Sequence, residues 1–299
     1  MNFGGIKKVQ QTNKSGNYLF SLLIPSWNNL EYLKLCVRSI RQNSAHPHQI
    51  ILLINEGKDG SLAWAAKQDD IDYVYAPENL GICYGLNACR SLVHTGYMVY
   101  INDDMYLLPG WDDILLKEIR QLNHSMFMLS STLIEPGDTG NSCVIVKDYG
   151  DSPGNFQEEA LLRTFDKLEK SDWSGSTWPP VLVPTTLWDL VGGMSAEFSP
   201  GMYSDPDLSM KFWQAGVRYF KGMGESRVYH FGSMSTNRIK KNKGKDMFLR
   251  KYSITPRYFV HHYLKRGQDF TGTLSDPAVS LFDKIIHKIK LLLLLFQSN

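Results

Sequence analysis

Four short runs in the first third of the chain, residues 20–24, 50–54, 72–75 and 97–101, are rich in Ile, Leu, Val and Tyr, and turn-forming residues follow each. Between the first two, Leu33, Cys36, Val37 and Ile40 recur at helical spacing, so an amphipathic helix joins them. Asn28 or Asn29 is its expected N-cap, and Glu31 falls in the first turn, where the helix dipole favours an acid. Residues 61–67 and 85–93 read as further helices. Alternation of this kind gives a mostly parallel sheet with helices on both faces. Ligands of such sheets bind beyond the carboxyl ends of the strands. Segments 25–28, 55–57, 77–81 and 102–104 all follow strands and carry Pro, Asn, Gly or Asp. They predict a binding crevice along one sheet edge.

The remainder is less regular. Helices are expected over 111–122, 156–170, 185–191 and 205–215, the last stopped by Gly216. Strands are expected over 126–130, 181–183, 217–220 and 227–229. Residues 135–155, rich in Gly, Pro, Asp and Asn, form a long excursion with the make-up of a lid. Past His230 the chain turns basic and irregular. Near the end, Phe282, Ile285, Ile286, Ile289, Leu292, Leu293 and Phe296 share helical spacing, with Lys284, Lys288 and Lys290 among them. Such a helix caps a domain, pairs with a second copy, or lies in the plane of a membrane surface.

Bulk composition narrows the class. A hydrophobic share of 43% and a charged share of 21% are those of a globular chain. Net charge of +2 gives no footprint for nucleic acid. Cys36, Cys83, Cys89 and Cys143 have neither metal-site spacing nor the density of a disulfide framework, which points to a reducing compartment. The N-terminus lacks the apolar core of a secretory signal. The longest apolar run, 291–296, falls far short of the roughly 20 residues of a spanning helix. The expected location is the cytoplasm, with at most peripheral contact at the cytoplasmic face of a membrane.

Three places could carry chemistry. Asn102-Asp103-Asp104 follows a strand; adjacent carboxylates repel unless a cation or a donor-rich ligand compensates, and a solvated acidic turn is the plain alternative. Hard cations such as Mg²⁺ or Mn²⁺ use few carboxylates and complete their shell with phosphate oxygens and water. Ser204-Asp205-Pro206-Asp207 opens a helix, so Asp205 is either its N-cap or a general base facing the crevice. His230 closes a strand, as a structural residue or as an imidazole ligand for Mn²⁺. The downstream Arg238, Lys240, Lys241, Lys243, Lys245, Arg250 and Lys251 form a solvated loop, or neutralise a diphosphate or anionic lipid. Trp173, Trp178, Trp188, Phe198 and Tyr203 are core residues or a platform for sugar C–H faces.

In order, the chain carries Ile24-Pro25-Ser26-Trp27-Asn28, Asn79-Leu80-Gly81, Asn102-Asp103-Asp104, Gly192-Gly193, Asp205-Pro206-Asp207-Leu208, Ala215-Gly216 and His230. Together these resemble family-2 glycosyltransferases with the GT-A fold over about residues 18–235. The resemblance implies a nucleotide-binding half at 18–104 and an acceptor half at 105–235, with 236–299 as a basic loop and C-terminal amphipathic helical segment. It assigns Pro25, Ser26, Asn28, Glu31, Asn55, Asn79, Gly81, Asn102 and Asp103 to the nucleotide-sugar. Asp104 and His230 become ligands of Mn²⁺ or Mg²⁺, Asp205 the catalytic base, and Asp207 and Trp173 acceptor contacts. Asn55 and Ser204 stand where the family carries acids, and Asn102 takes the first position of its DXD element. The implied activity is inverting, metal-dependent transfer from a nucleoside-diphosphate sugar to a glycan or lipid-linked acceptor, in polysaccharide or surface-glycan synthesis. A decayed glycan- or nucleotide-binding module and a nucleotidyltransferase are the other readings. A dinucleotide oxidoreductase is disfavoured, because neither G-x-G-x-x-G nor a P-loop is present.

Overall fold

The computed structural model describes residues 5–12, 16–232 and 242–296. Its strands are β1 (Lys7–Val9), β2 (Ser21–Trp27), β3 (Gln49–Asn55), β4 (Ile71–Ala76), β5 (Tyr97–Tyr100), β6 (Met105–Leu107), β7 (Phe127–Glu135), β8 (Ile145–Val146), β9 (Trp173–Ser174), β10 (Val181–Pro184) and β11 (Tyr219–His230). They form one sheet in the order β1-β4-β3-β2-β5-β10-β7-β11-β6, with β8 on β7 and β9 on β11. The block β4-β3-β2-β5 is parallel, as the alternation predicts. Beyond it the sheet is mixed: β10 runs antiparallel between β5 and β7, while β11 is parallel to β7.

The two faces follow from side-chain alternation along the strands. Leu23, Ile51 and Leu53 point into one apolar cluster, and Leu22, Ile24, Ile50, Leu52 and Ile54 into the other. Helix α1 (Leu30–Asn43) covers the second face with Leu33, Cys36, Val37 and Ile40, joined after the short α2 (Ser61–Ala65) by α4 (Trp111–Gln121). Helices α3 (Gly81–Cys89), α6 (Thr185–Val191) and α7 (Ser204–Gln214) cover the first. Between these, α5 (Glu158–Thr164) is followed by a 3₁₀ turn, so the helix expected over 156–170 is shorter than its spacing suggests.

Several expectations change. The pieces 217–220 and 227–229 are one strand, β11, whose pairing with β7 shifts between Met223 and Arg227. The glycines within it serve close approach. A Cβ on Gly222 would lie 1.9 Å from the Trp173 ring, and one on Gly224 2.0 Å from the Lys170 carbonyl oxygen. The excursion 135–155 is pinned rather than open: the Tyr149 amide donates to the Tyr229 hydroxyl, which donates to the Gly150 carbonyl. Past the 235/236 boundary, α8 (Gly244–Tyr252), the short α9 (Pro256–Tyr258) and a π-helical turn (Phe259–Tyr263) follow. Phe248, Phe259 and Leu264 join Phe212, Trp213 and Phe220 in a shared core, so this part packs as one with the sheet. Arg238, Lys240 and Lys241 lie outside the described residues. The last helix is α10 (Leu281–Phe296), and among the described residues no helix is long and apolar enough to cross a membrane.

Candidate functional site

The carboxyl ends of β2, β3 and β5 open onto a cleft of about 290 Å³. Pro25, Ser26, Asn55, Asn79, Gly81, Asn102, Asp103 and Asp104 line it from the parallel block, as the strand-end segments predict. Residues 200–203 and Asp205 close it from the other half.

Each wall has a local cause. Asn55 is buried, and its side-chain oxygen accepts from the Leu80 amide at 3.0 Å, fixing the turn that starts α3. Asn79 does the same for the Gly81 amide at 2.8 Å. Gly81 has φ +71° and faces Pro200, where a Cβ would meet Pro200 Cα at 2.5 Å; the Ile82 amide donates to the Pro200 carbonyl at 2.7 Å. Only glycine fits there. The Ser26 hydroxyl is buried in the cleft wall and has no hydrogen-bond partner among the described residues, which suits a group awaiting a ligand.

Two residues assigned to the nucleotide lie outside the cleft. Asn28, at φ +49°, ties the turn after β2 to the one after β3 by accepting from the Lys58 amide and donating to Glu56. Glu31 is exposed and pairs with Lys34, so its charge is spent on its own helix. Helix α1 has Asn29 in the cap position without a side-chain bond; Asp59 accepts from the Leu30 amide instead. Glu56, which the sequence reading passed over, supplies the carboxylate after β3. Lys58, Trp27 and Asn28 hold it below the usual range against the opposing effect of burial.

At the end of β5, Asp103 and Asp104 are both buried. His230, at the end of β11, places Nε2 3.4 Å from Asp104 and Nδ1 2.8 Å from Glu135. Burial opposes its charge, yet the hydrogen bonds it donates to Asp104 and Glu135 lift its pKa to about 10, so a cation bound at Asp104 would take the place of the Nε2 proton. Glu135 was missed as a site residue, although a carboxylate ending a strand beside Pro136 is the same signal as Asp104. The donor set suits a divalent cation. One carboxylate and one imidazole face each other, and a second carboxylate orients the imidazole from behind. Among the described residues no group of three or more His, Cys, Asp or Glu could hold a metal alone. The remaining oxygens would come from a diphosphate and water.

Asp205 sits in the first turn of α7. The cap residue there is Tyr203 at φ +67°, and no side chain caps the helix, so Asp205 is free of that task. Its carboxyl lines the cleft, and burial pushes its pKa up to about 7, where a general base is most useful. Asp207 points away. It is buried and bonded to Lys251 Nζ at 2.9 Å and the Tyr252 hydroxyl at 2.7 Å, binding α8 to α7. It lines neither of the clefts that Asp205 lines. Trp173 also lies away from this cleft: it is 5% exposed, donates to Thr132, and lines a separate cleft of about 580 Å³ that shares no residue with this one. Trp178, by contrast, lines a cleft that also includes Asp205.

Residues 21–168 match the family described as glycosyl transferase family 2. No curated protein matches the chain in sequence. Among solved structures it resembles residues 1–349 of S. aureus TarS, with a TM-score of 0.53 and 12% identity over 71% of this chain and 60% of that one. It also resembles GalNAc-T7, solved with UDP, GalNAc and Mn²⁺, with a TM-score of 0.57 and 13% identity over 82% of this chain and 50% of that one. The chain thus spans less than two thirds of these relatives, and the likeness is one of fold. With the sequence match and the cleft at the strand ends, it follows that the chain carries a glycosyl transferase family 2 domain on the GT-A fold.

Proposed function

We propose that the protein is an inverting, metal-dependent glycosyltransferase that moves a sugar from a nucleoside-diphosphate donor to a hydroxyl of a glycan or lipid-linked acceptor, in polysaccharide or surface-glycan synthesis. The observation that carries this reading is that Asp205, with its carboxyl raised to about 7, and Asp104, beside His230, open onto one cleft at the carboxyl ends of the parallel strands. A nucleotidyltransferase has no need of a base held near neutrality at that point. Ser26, Asn102 and Asp103 line the floor for the nucleotide. Mn²⁺ or Mg²⁺ held by Asp104 and His230 would neutralise charge on the leaving diphosphate. Asp205 takes the proton of the acceptor hydroxyl as that oxygen attacks the anomeric carbon in line. The bond from that carbon to the diphosphate oxygen breaks, its electron pair leaves with the diphosphate, and configuration inverts. The structures of TarS and GalNAc-T7 solved with UDP make that diphosphate the first to test.

The experiment is thermal stabilisation by nucleoside diphosphates with and without Mn²⁺. One diphosphate at about 100-fold over its dissociation constant should raise the melting temperature by about 5 °C. Asp104→Asn should remove the Mn²⁺-dependent part. No shift with any diphosphate, with or without metal, would overturn the donor reading.

Location belongs to the same proposal. Helix α10 turns Asp283 and the buried His287 inward onto Tyr258, and leaves Phe282, Ile285, Ile289, Leu292 and Leu293 at least half exposed. Lys284, Lys288 and Lys290 are exposed beside them. An apolar face rimmed by lysines matches an anionic bilayer surface, which supports a location at the cytoplasmic face of a membrane. Full-length protein should sediment with phosphatidylglycerol vesicles, and Ile285→Glu with Leu293→Glu should leave it in solution. Equal sedimentation of the two would remove the membrane role; loss of a dimer instead would assign the face to a second copy.

A further inference from the structure

We infer that the cleft sharing Asp205 with the donor crevice binds a phosphate group carried by the acceptor. The inference rests on the glycosyltransferase reading and specifies its acceptor side. This cleft encloses about 400 Å³, within the size of ordinary ligand sites. Met202, Tyr203 and Asp205 line both clefts, so they form the wall between them. Whatever occupies the second cleft lies directly beside the base.

Its lining is one-sided in charge. Lys245, Arg257, His261 and Arg266 face it, and among the described residues Asp205 is its only carboxylate. Arg266 carries the argument. Its guanidinium carbon lies 3.9 Å from the centre of the Trp178 ring, a cation–π contact that holds the group in place and uses none of its N–H donors. Burial lowers its pKa, yet among the described residues its guanidinium has no hydrogen bond or ion pair. Elsewhere Arg41, Arg90, Arg163 and Arg218 each pair with a carboxylate. A partly buried, preoriented guanidinium without an anion is costly unless one arrives. Thr177 gives an independent sign. It is 2% exposed, lines the same cleft, and its hydroxyl has no partner among the described residues. His261 is held below its usual pKa by burial and by Arg257 and Arg266, so it enters as a neutral hydrogen-bonding group in a positive field. Three permanent cations, a hydroxyl and an imidazole suit the charge and the several oxygens of a phosphate better than the single charge of a carboxylate.

The test titrates inorganic phosphate into UDP-saturated, full-length protein by calorimetry, with glucuronate in parallel. Phosphate should bind, and Arg266→Gln should weaken it about ten-fold, the loss of a charge-assisted hydrogen bond. The doubly exposed variant Arg257→Gln with Lys245→Gln, which cannot disturb the core, should weaken it a few-fold, and all variants should bind UDP as the wild type does. Absent phosphate binding, equal binding by the variants, or parallel loss of UDP binding would overturn the subsite. Glucuronate bound as tightly as phosphate would overturn its assignment to phosphate. Competition by glucose 1-phosphate assigns a soluble phosphorylated glycan, and competition by phosphatidic acid vesicles alone assigns a lipid-linked phosphate. UDP failing to bind the wild type, with phosphate binding still dependent on Arg266, would sink the donor reading and leave the subsite standing.

Discussion

Asparagine at position 205 is expected to lower transfer by about 10²–10⁴-fold, the usual contribution of a positioned base, while making the fold more stable above neutral pH. Both effects have one cause. Burial raises the Asp205 carboxyl to about 7 from an ordinary 3.8, so the folded protein holds that proton more tightly than the unfolded chain. The stabilisation is fully present below the unfolded value and is lost as pH rises through the folded one. Above pH 7 the wild type therefore carries a half-buried charge that Asp205→Asn lacks. The difference is on the order of 1–4 kcal/mol, the upper figure being about three pKa units with no water reaching the carboxylate. Melting curves of the two proteins should coincide near pH 4, diverge up to about 7, and stay apart beyond it. Wild-type turnover should rise over the same interval. The Cys83 thiol and Tyr100 hydroxyl near Asp205 are both pushed up by burial and by its charge, so neither titrates there. Normal turnover in Asp205→Asn would remove the base assignment.

A second large effect is expected at Asp207, and it should be structural. Asp207→Ala leaves Lys251 and the Tyr252 hydroxyl without their buried acceptor, although Lys251 keeps Glu197 at 2.7 Å. Removing one partner of such a set costs about 2–4 kcal/mol. Urea unfolding should show the loss, and Asp207→Asn, which keeps an acceptor oxygen, should recover part of it. Because α8 carries Lys245, the apparent acceptor KM should rise while UDP binding holds. Unchanged stability with lost transfer would return Asp207 to the acceptor contact that the family resemblance implies.

The parallel block was legible because its signals are local: apolar runs of four or five residues, each ended by Pro, Asn or Asp, with a helical repeat between them. The site was legible for the same reason wherever a residue ends a strand or opens a helix, as Ser26, Asp104, Asp205 and His230 do. What the sequence hid depends on long-range contact. Glycines 222 and 224 look like a chain break, and only the Trp173 ring and the Lys170 carbonyl explain them as parts of one strand. Strands β1, β6 and β9 are two or three residues long, too short to leave a periodicity. Asp205 and Asp207 stand two apart and look equivalent in sequence. Two residues on a helix point in different directions, so one faces the cleft and the other faces Lys251. Trp173 and Trp178 differ only in which wall they meet, and composition cannot separate them.

The junction between Gly81 and Pro200 has a consequence for how such a protein can change over time. There the turn that starts α3 meets the segment leading to Asp205, through an amide, a carbonyl and a glycine with no room for a side chain. In the proposed reaction the spacing between leaving group and base would thus be set by main chain, which most substitutions leave untouched. Side chains around the cleft can drift and alter which sugar is taken, while the distance across which the reaction must occur is inherited unchanged.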